Sequence, residues 1–138
     1  MTLNPSLAVQ THAIHSIQYL ENALIALQNR EAAKAGELLW GSVAQALEAI
    51  AAYNNRTIRS HRDLKNFAIH LSKDLEDEAI LDKFILAESL HHNFYDVQQE
   101  PSDIEILVAA VKELVTRLID LIPPSVLSET DFPRPTLE

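Results

Sequence analysis

Ala87-Glu88-Ser89-Leu90-His91-His92-Asn93-Phe94-Tyr95-Asp96 concentrates chemistry in one stretch. It holds two of the chain's six histidines beside an amide, a phenol and two carboxylates. A neutral imidazole near pH 7 can take a proton from a ribose 2′-hydroxyl, and a guanidinium can stabilise the charge that develops on a phosphorane. Cleavage of RNA by that route needs no metal. Its parts here are His91 (or His92) as base, Tyr95 beside it, and Arg56 or Arg59 for the phosphate. Buried polar groups at such a place are costly unless they are paired or used.

Glu88-Ser89-Leu90-His91 also has the Glu-x-x-His spacing that puts two metal ligands on one helix face. Di-iron bundles need that motif twice, with further glutamates. No second copy occurs, and His12 and His15 lack an adjacent acid. No metal site and no cofactor is therefore expected. Glu88 is expected to pair with His91 or His92 at helical spacing instead. Nucleophile elbows and phosphate-binding glycine loops are absent, and only two glycines, Gly36 and Gly41, occur. The chain has no cysteine, which excludes disulfides, thiolate zinc sites and cysteine nucleophiles.

The net charge is −9, from 20 acids against 11 bases. Broad DNA binding is not expected, because it needs an excess of Lys and Arg. One basic island stands out: Arg56, Arg59, Arg62 and Lys65 against Asp63. An anionic ligand would be sought there.

The elements that must position these groups are helical. Of the 138 residues 47% are apolar, enough to build a core, and Ala and Leu dominate. The start is neither basic nor followed by a long apolar run, and no stretch reaches the roughly 20 apolar residues of a membrane span. A soluble, cytoplasmic protein with no membrane contact is expected. The spacing predicts a helix from about Pro5, or from Thr11 if the start frays, to about Gln28, with Ile14, Ile17, Leu20, Leu24 and Leu27 inward. A second helix runs from about Arg30 to Tyr53, and its many small residues would let a neighbour approach closely. Its single Trp, Trp40, suits either a core anchor or a ligand stacker. Ser60 and Asp63 resemble a capping box opening a third helix. The fourth runs from about Glu76 to Val97 along Ile80, Phe84, Ala87, His91 and Phe94, which puts His91 where a core residue belongs. Ser102 and Glu105 cap a fifth helix, which Pro123-Pro124 stops. The expectation is an all-α, up-and-down bundle of four to five helices over residues 1–122, with a Pro-containing extended tail over 123–138.

Lys34-Ala-Gly-Glu-Leu-Leu-Trp-Gly-Ser-Val-Ala-Gln-Ala-Leu47, Ser60-His61, and the Ala87 to Asp96 stretch together resemble the archaeal-repeat (PaREP-type) branch of the HEPN superfamily. The likeness spans roughly residues 30 to 97. It implies an up-and-down bundle that is commonly a homodimer. It further implies either a ribonuclease or a nucleotide-binding partner of a nucleotidyltransferase. The HEPN ribonuclease motif is an Arg, four to six residues, and a His, often followed by a Tyr. His91 and Tyr95 match the His and Tyr, but the Arg would fall at Phe84, Ile85 or Leu86. Arg56 and His61 have the spacing in another place. The sequence departs from the catalytic pattern, so the favoured reading is a noncatalytic nucleotide- or RNA-binding, or protein-interaction, module. Glu37, Trp40, His61, His91 and Asn93 are its lining candidates. The alternatives are a metal-independent ribonuclease and a structural helical adaptor.

Overall fold

Alanine, serine and glycine occupy so much of one helix that a neighbour can lie almost against its backbone, and this sets the architecture. The computed structural model describes residues 5–93 and 101–127, with side chains for 6–91 and 104–127. Its helices are α1 (Pro5–Gln28), α2 (Ala32–Tyr53), α3 (His61–Asp74), α4 (Glu78–Asn93), α5 (Pro101–Asp120) and α6 (Pro124–Leu127). The fold is an all-α bundle, with no strand among the described residues.

α1 and α2 run antiparallel and make the most extensive helix–helix contact. Ala13, Ser16 and Ala23 of α1 and Ala35, Ser42, Ala46 and Ala49 of α2 are all fully buried. Ser16 and Ser42 bond reciprocally: each hydroxyl donates to the other residue's backbone carbonyl at 2.7 Å. Two buried hydroxyls are thereby satisfied, and the backbones must lie close to reach each other. Tyr19 lies on Gly41, where an added Cβ would sit 3.1 Å from the ring. The close approach expected from the small residues is thus real, and it covers much of the Ala-rich surface of α2. It also turns α1 from its predicted face. Ile14, Leu24 and Leu27 are only half-buried, while Val9, Ala13 and Ala23 are fully covered.

The remaining sides of α2 receive α3, α4 and α5. Leu39, Val43, Leu47, Phe84, Ile80, Leu114 and Leu118 form the centre of the core. Ion pairs from Lys83 to Glu113 (2.9 Å) and from Arg117 to Asp77 (3.3 Å) tie α5 antiparallel to α4. Pro123-Pro124 end α5 as expected, but the extended tail does not begin there. Pro124–Leu127 form α6, Leu127 is buried, and the Gln10 amide donates to the Val126 carbonyl at 2.8 Å. An apolar residue past the proline stop thereby reaches the core. Residues 128–138, the Ser102 cap and the predicted end of α4 at Val97 lie outside the described side chains or residues.

Three helices end the same way. Arg30, Asn55 and Glu76 take φ of 60°, 57° and 50°. The next residue's N–H then bonds back across the turn: Glu31 to Ala26, Arg56 to Ala51, Asp77 to Ser72. This is the Schellman arrangement, usually built on glycine. The left-handed residue at position 30 is why α2 starts at Ala32 rather than Arg30. Asp77 follows the third turn and opens α4, its carboxylate accepting from the Ala79 N–H at 3.1 Å. A non-glycine residue in this conformation costs roughly 1–2 kcal/mol, partly offset by the lower entropy of its unfolded form. Glu76→Gly and Arg30→Gly are expected to raise stability by about 0.5–1 kcal/mol each. Asn55→Gly should gain less, because Asn tolerates the region. Urea unfolding midpoints check this ranking.

Candidate functional site

The start of α3 is fixed before any ligand is considered. The Ser60 hydroxyl accepts the Asp63 N–H at 3.1 Å, and the Asp63 carboxylate accepts the Arg59 N–H at 3.0 Å. The predicted cap is present, reaching back one residue further than the usual box. It sets His61 as the first helical residue and lays its ring on Trp40, centroids 5.3 Å apart at 31°. From the end of α4, His91 stacks on the same indole at 5.8 Å and 30°. Phe84, fully buried, meets the indole edge-on at 5.5 Å. Trp40 is half-buried, so it both anchors the core and presents a ring to the surface.

Each imidazole is held by a carboxylate from another helix. His61 Nε2 meets Glu88 Oε2 at 2.5 Å, and His91 Nδ1 meets Glu37 Oε2 at 2.9 Å. A carboxylate only accepts, so these nitrogens carry the proton, and His61 Nδ1 and His91 Nε2 are the basic positions of the neutral rings. Lys65 adds a contact to Glu88 at 3.4 Å. Burial by itself would raise the Glu88 pKa. The His61 hydrogen bond and the Lys65 ammonium outweigh it, and the carboxyl sits below its ordinary value.

Four predicted residues, Glu37, Trp40, His61 and His91, therefore meet at one place. His91 continues the line of Ile80, Phe84 and Ala87 only to the rim, where its side chain is 37% exposed. Asn93 is the last residue of α4, its side chain outside the described set, and Tyr95 lies outside the described residues. The Arg56 guanidinium lies over the Phe67 ring, 5.9 Å from its centroid. Arg59 is exposed.

Two expectations change. Glu88 pairs with His61 and Lys65 across the α3–α4 hairpin, not with His91 or His92 along its own helix. Lys65 joins the site although the basic island suggested an anion there. The signal for both was the turn at Leu75–Asp77: antiparallel helices folded about it bring residue 61 level with 88 to 91. A further polar group joins α1 to α2. His12 Nδ1 bonds Gln45 Oε1 at 2.8 Å and lies 3.4 Å from Glu48 Oε2, across α1 and α2. Among the described residues no three His, Asp or Glu side chains assemble as a metal site, and no helix is long and apolar enough to cross a membrane.

Comparison with known proteins adds one match. The model of the archaeal PaREP1/PaREP8 family covers residues 11–115, from α1 to α5. No curated protein and no solved structure matches.

The lowered Glu88 pKa makes a pH-dependent contribution to stability. A carboxyl depressed on folding stabilises above its unfolded value, about 4.3, and that stabilisation is lost as pH falls through the folded value. Glu88→Gln is expected to cost about 0.5–1 kcal/mol at pH 7, kept small by the exposure of His61 and Lys65. The gap to the parent protein should close below about pH 4.3. Denaturation curves across pH 3–7 measure it.

Proposed function

The chain belongs to the archaeal PaREP1/PaREP8 family, and from that premise we propose that it is a noncatalytic binding module whose Trp40 site receives a base of a nucleotide or short RNA. The carrying observation is a single cluster: two imidazoles from two helices lie against the only Trp, His91 stacked and His61 tilted, each fixed by a carboxylate from another helix. Bases are recognised by stacking on aromatic and imidazole faces, and carboxylates accept from their N–H edges. Among the described residues the lysine of the cluster, Lys65, is paired with Glu88. The site is therefore suited to a base rather than to a phosphate. The HEPN resemblance supports the same reading and carries with it a homodimer, with a nucleotidyltransferase as a protein partner; a cytoplasmic location belongs to the same proposal.

The carboxylate-held imidazoles favour one second reading. Two such rings at one place are the parts of an acid–base pair, as a metal-independent ribonuclease with His91 as base would use. Against it stands Arg56, whose guanidinium is engaged over the Phe67 ring.

Trp40 reports on its own site. Nucleotides and short oligoribonucleotides are expected to quench its fluorescence saturably. Because stacking contributes about 1–3 kcal/mol per base, His61→Ala and His91→Ala should weaken binding at least fivefold or so. Absence of quenching by any of the four nucleotides and by mixed RNA would sink the reading. Mixed RNA in EDTA should stay intact; cleavage that disappears in His91→Ala would establish the enzyme instead.

A further inference from the structure

α3 has two working faces. His61 lies against Trp40, and Lys65, one turn on, reaches Glu88. Asp63, Asn66 and His70 lie on the opposite side, at helical positions more than a quarter-turn away. They border a groove of about 320 Å³ whose other wall is Arg56, Thr57 and Ile58, the extended link from α2. Nothing so far described uses this groove.

Its polar groups converge without a use inside the protein. Among the described residues, the side chains of Arg56, Thr57, Asn66 and His70 have no hydrogen-bond or ion-pair partner. For Arg56 this is unusual in context. The chain has 20 acids to 11 bases, yet none of the ion pairs among the described residues includes Arg56, Arg59 or Arg62. The Arg56 guanidinium is instead laid over Phe67, itself only 7% exposed and fixed in the core. Stacking on a ring face restrains the group but leaves the N–H fork in its plane open to an acceptor.

We propose that this groove binds a phosphate monoester carried on a ribose-like polyol. The guanidinium fork matches phosphate oxygens, and the Thr57 hydroxyl and the Asn66 amide are further donors. Asp63 sets the limit on charge. One of its oxygens takes the Arg59 N–H, and the carboxylate would repel a second phosphate while accepting from a ligand hydroxyl. The volume sits at the small end of ligand pockets and matches one pentose phosphate unit, with the rest of any longer ligand left outside. The same chemistry is offered by a free sugar phosphate and by the 5′-phosphate end of an RNA strand.

Titration calorimetry on the full chain tests this with ribose 5-phosphate, ribose, and a tetraribonucleotide with and without a 5′-phosphate. Saturable binding is expected for ribose 5-phosphate or for the phosphorylated strand. Binding should fall about tenfold or more in Arg56→Gln, the loss typical of a charge-assisted hydrogen bond. His70→Ala, also exposed, is a second variant that should weaken it, and circular dichroism checks that both fold. Preference for the phosphorylated strand assigns the groove to an RNA end; preference for the sugar phosphate assigns it to a metabolite. The proposal is overturned if neither phosphate probe saturates at about 20 mM, well beyond a 1 mM site, if ribose binds as well, or if Arg56→Gln binds equally. Trp40 fluorescence stays unchanged by ribose 5-phosphate, so failure here leaves the indole site standing.

Discussion

The close approach of α1 to α2 is the constraint on which the rest depends. Only small side chains allow two helices to pack at the short end of the usual 8–10 Å separation, and the reciprocal Ser16–Ser42 bonds require it. With one side of α2 closed in this way, its larger residues, Leu39, Val43 and Leu47, point towards α3, α4 and α5. α2 becomes the central post of the bundle. Trp40 then falls where α2 passes between the start of α3 and the end of α4, half in the core and half at the surface.

That position explains why the polar groups gather. An indole at a rim offers a ring to whatever the adjoining helix ends carry, and here both carry histidine. Imidazole is amphipathic: its face can lie on the indole while its nitrogens reach Glu37 and Glu88. The carboxylates come from α2 and α4, so the rings link the three helices at one point. The arrangement is held by several weak interactions rather than by one buried ion pair, since His61, Lys65 and Glu37 are all substantially exposed. Such a cluster is ordered enough to present stacked rings and open enough to admit a ligand.

The opposite face of α3 shows how the same short helix serves a different chemistry. Arg56, Arg59 and Arg62 enter no ion pair among the described residues, and the link of residues 56–59 meets the bundle through Ile58. Arg56 settles on an aromatic face instead. The two faces differ in kind: stacked rings held by carboxylates on one, and on the other an arginine, a threonine hydroxyl and an amide beside a single carboxylate, Asp63.

Periodicity and chain punctuation determined the helices. Apolar spacing, the Ser60 cap and the Pro123-Pro124 stop were local signals, and five of the helices lie close to where they were expected. The small residues of α2 foretold a close neighbour, and residue type together with the family resemblance nominated Glu37, Trp40, His61, His91 and Asn93, the first four of which meet at one place. Local sequence could not say which Schellman turns would form on Arg30, Asn55 and Glu76, since glycine, the usual mark, is missing from all three. It could not say that Leu127 returns to the core beyond two prolines, or that Glu88 serves His61 on another helix. Those contacts join residues far apart in the chain, and which of them form depends on how the helices are turned about their axes. That rotation is fixed by the packing of whole faces against one another, a property that no single helix possesses.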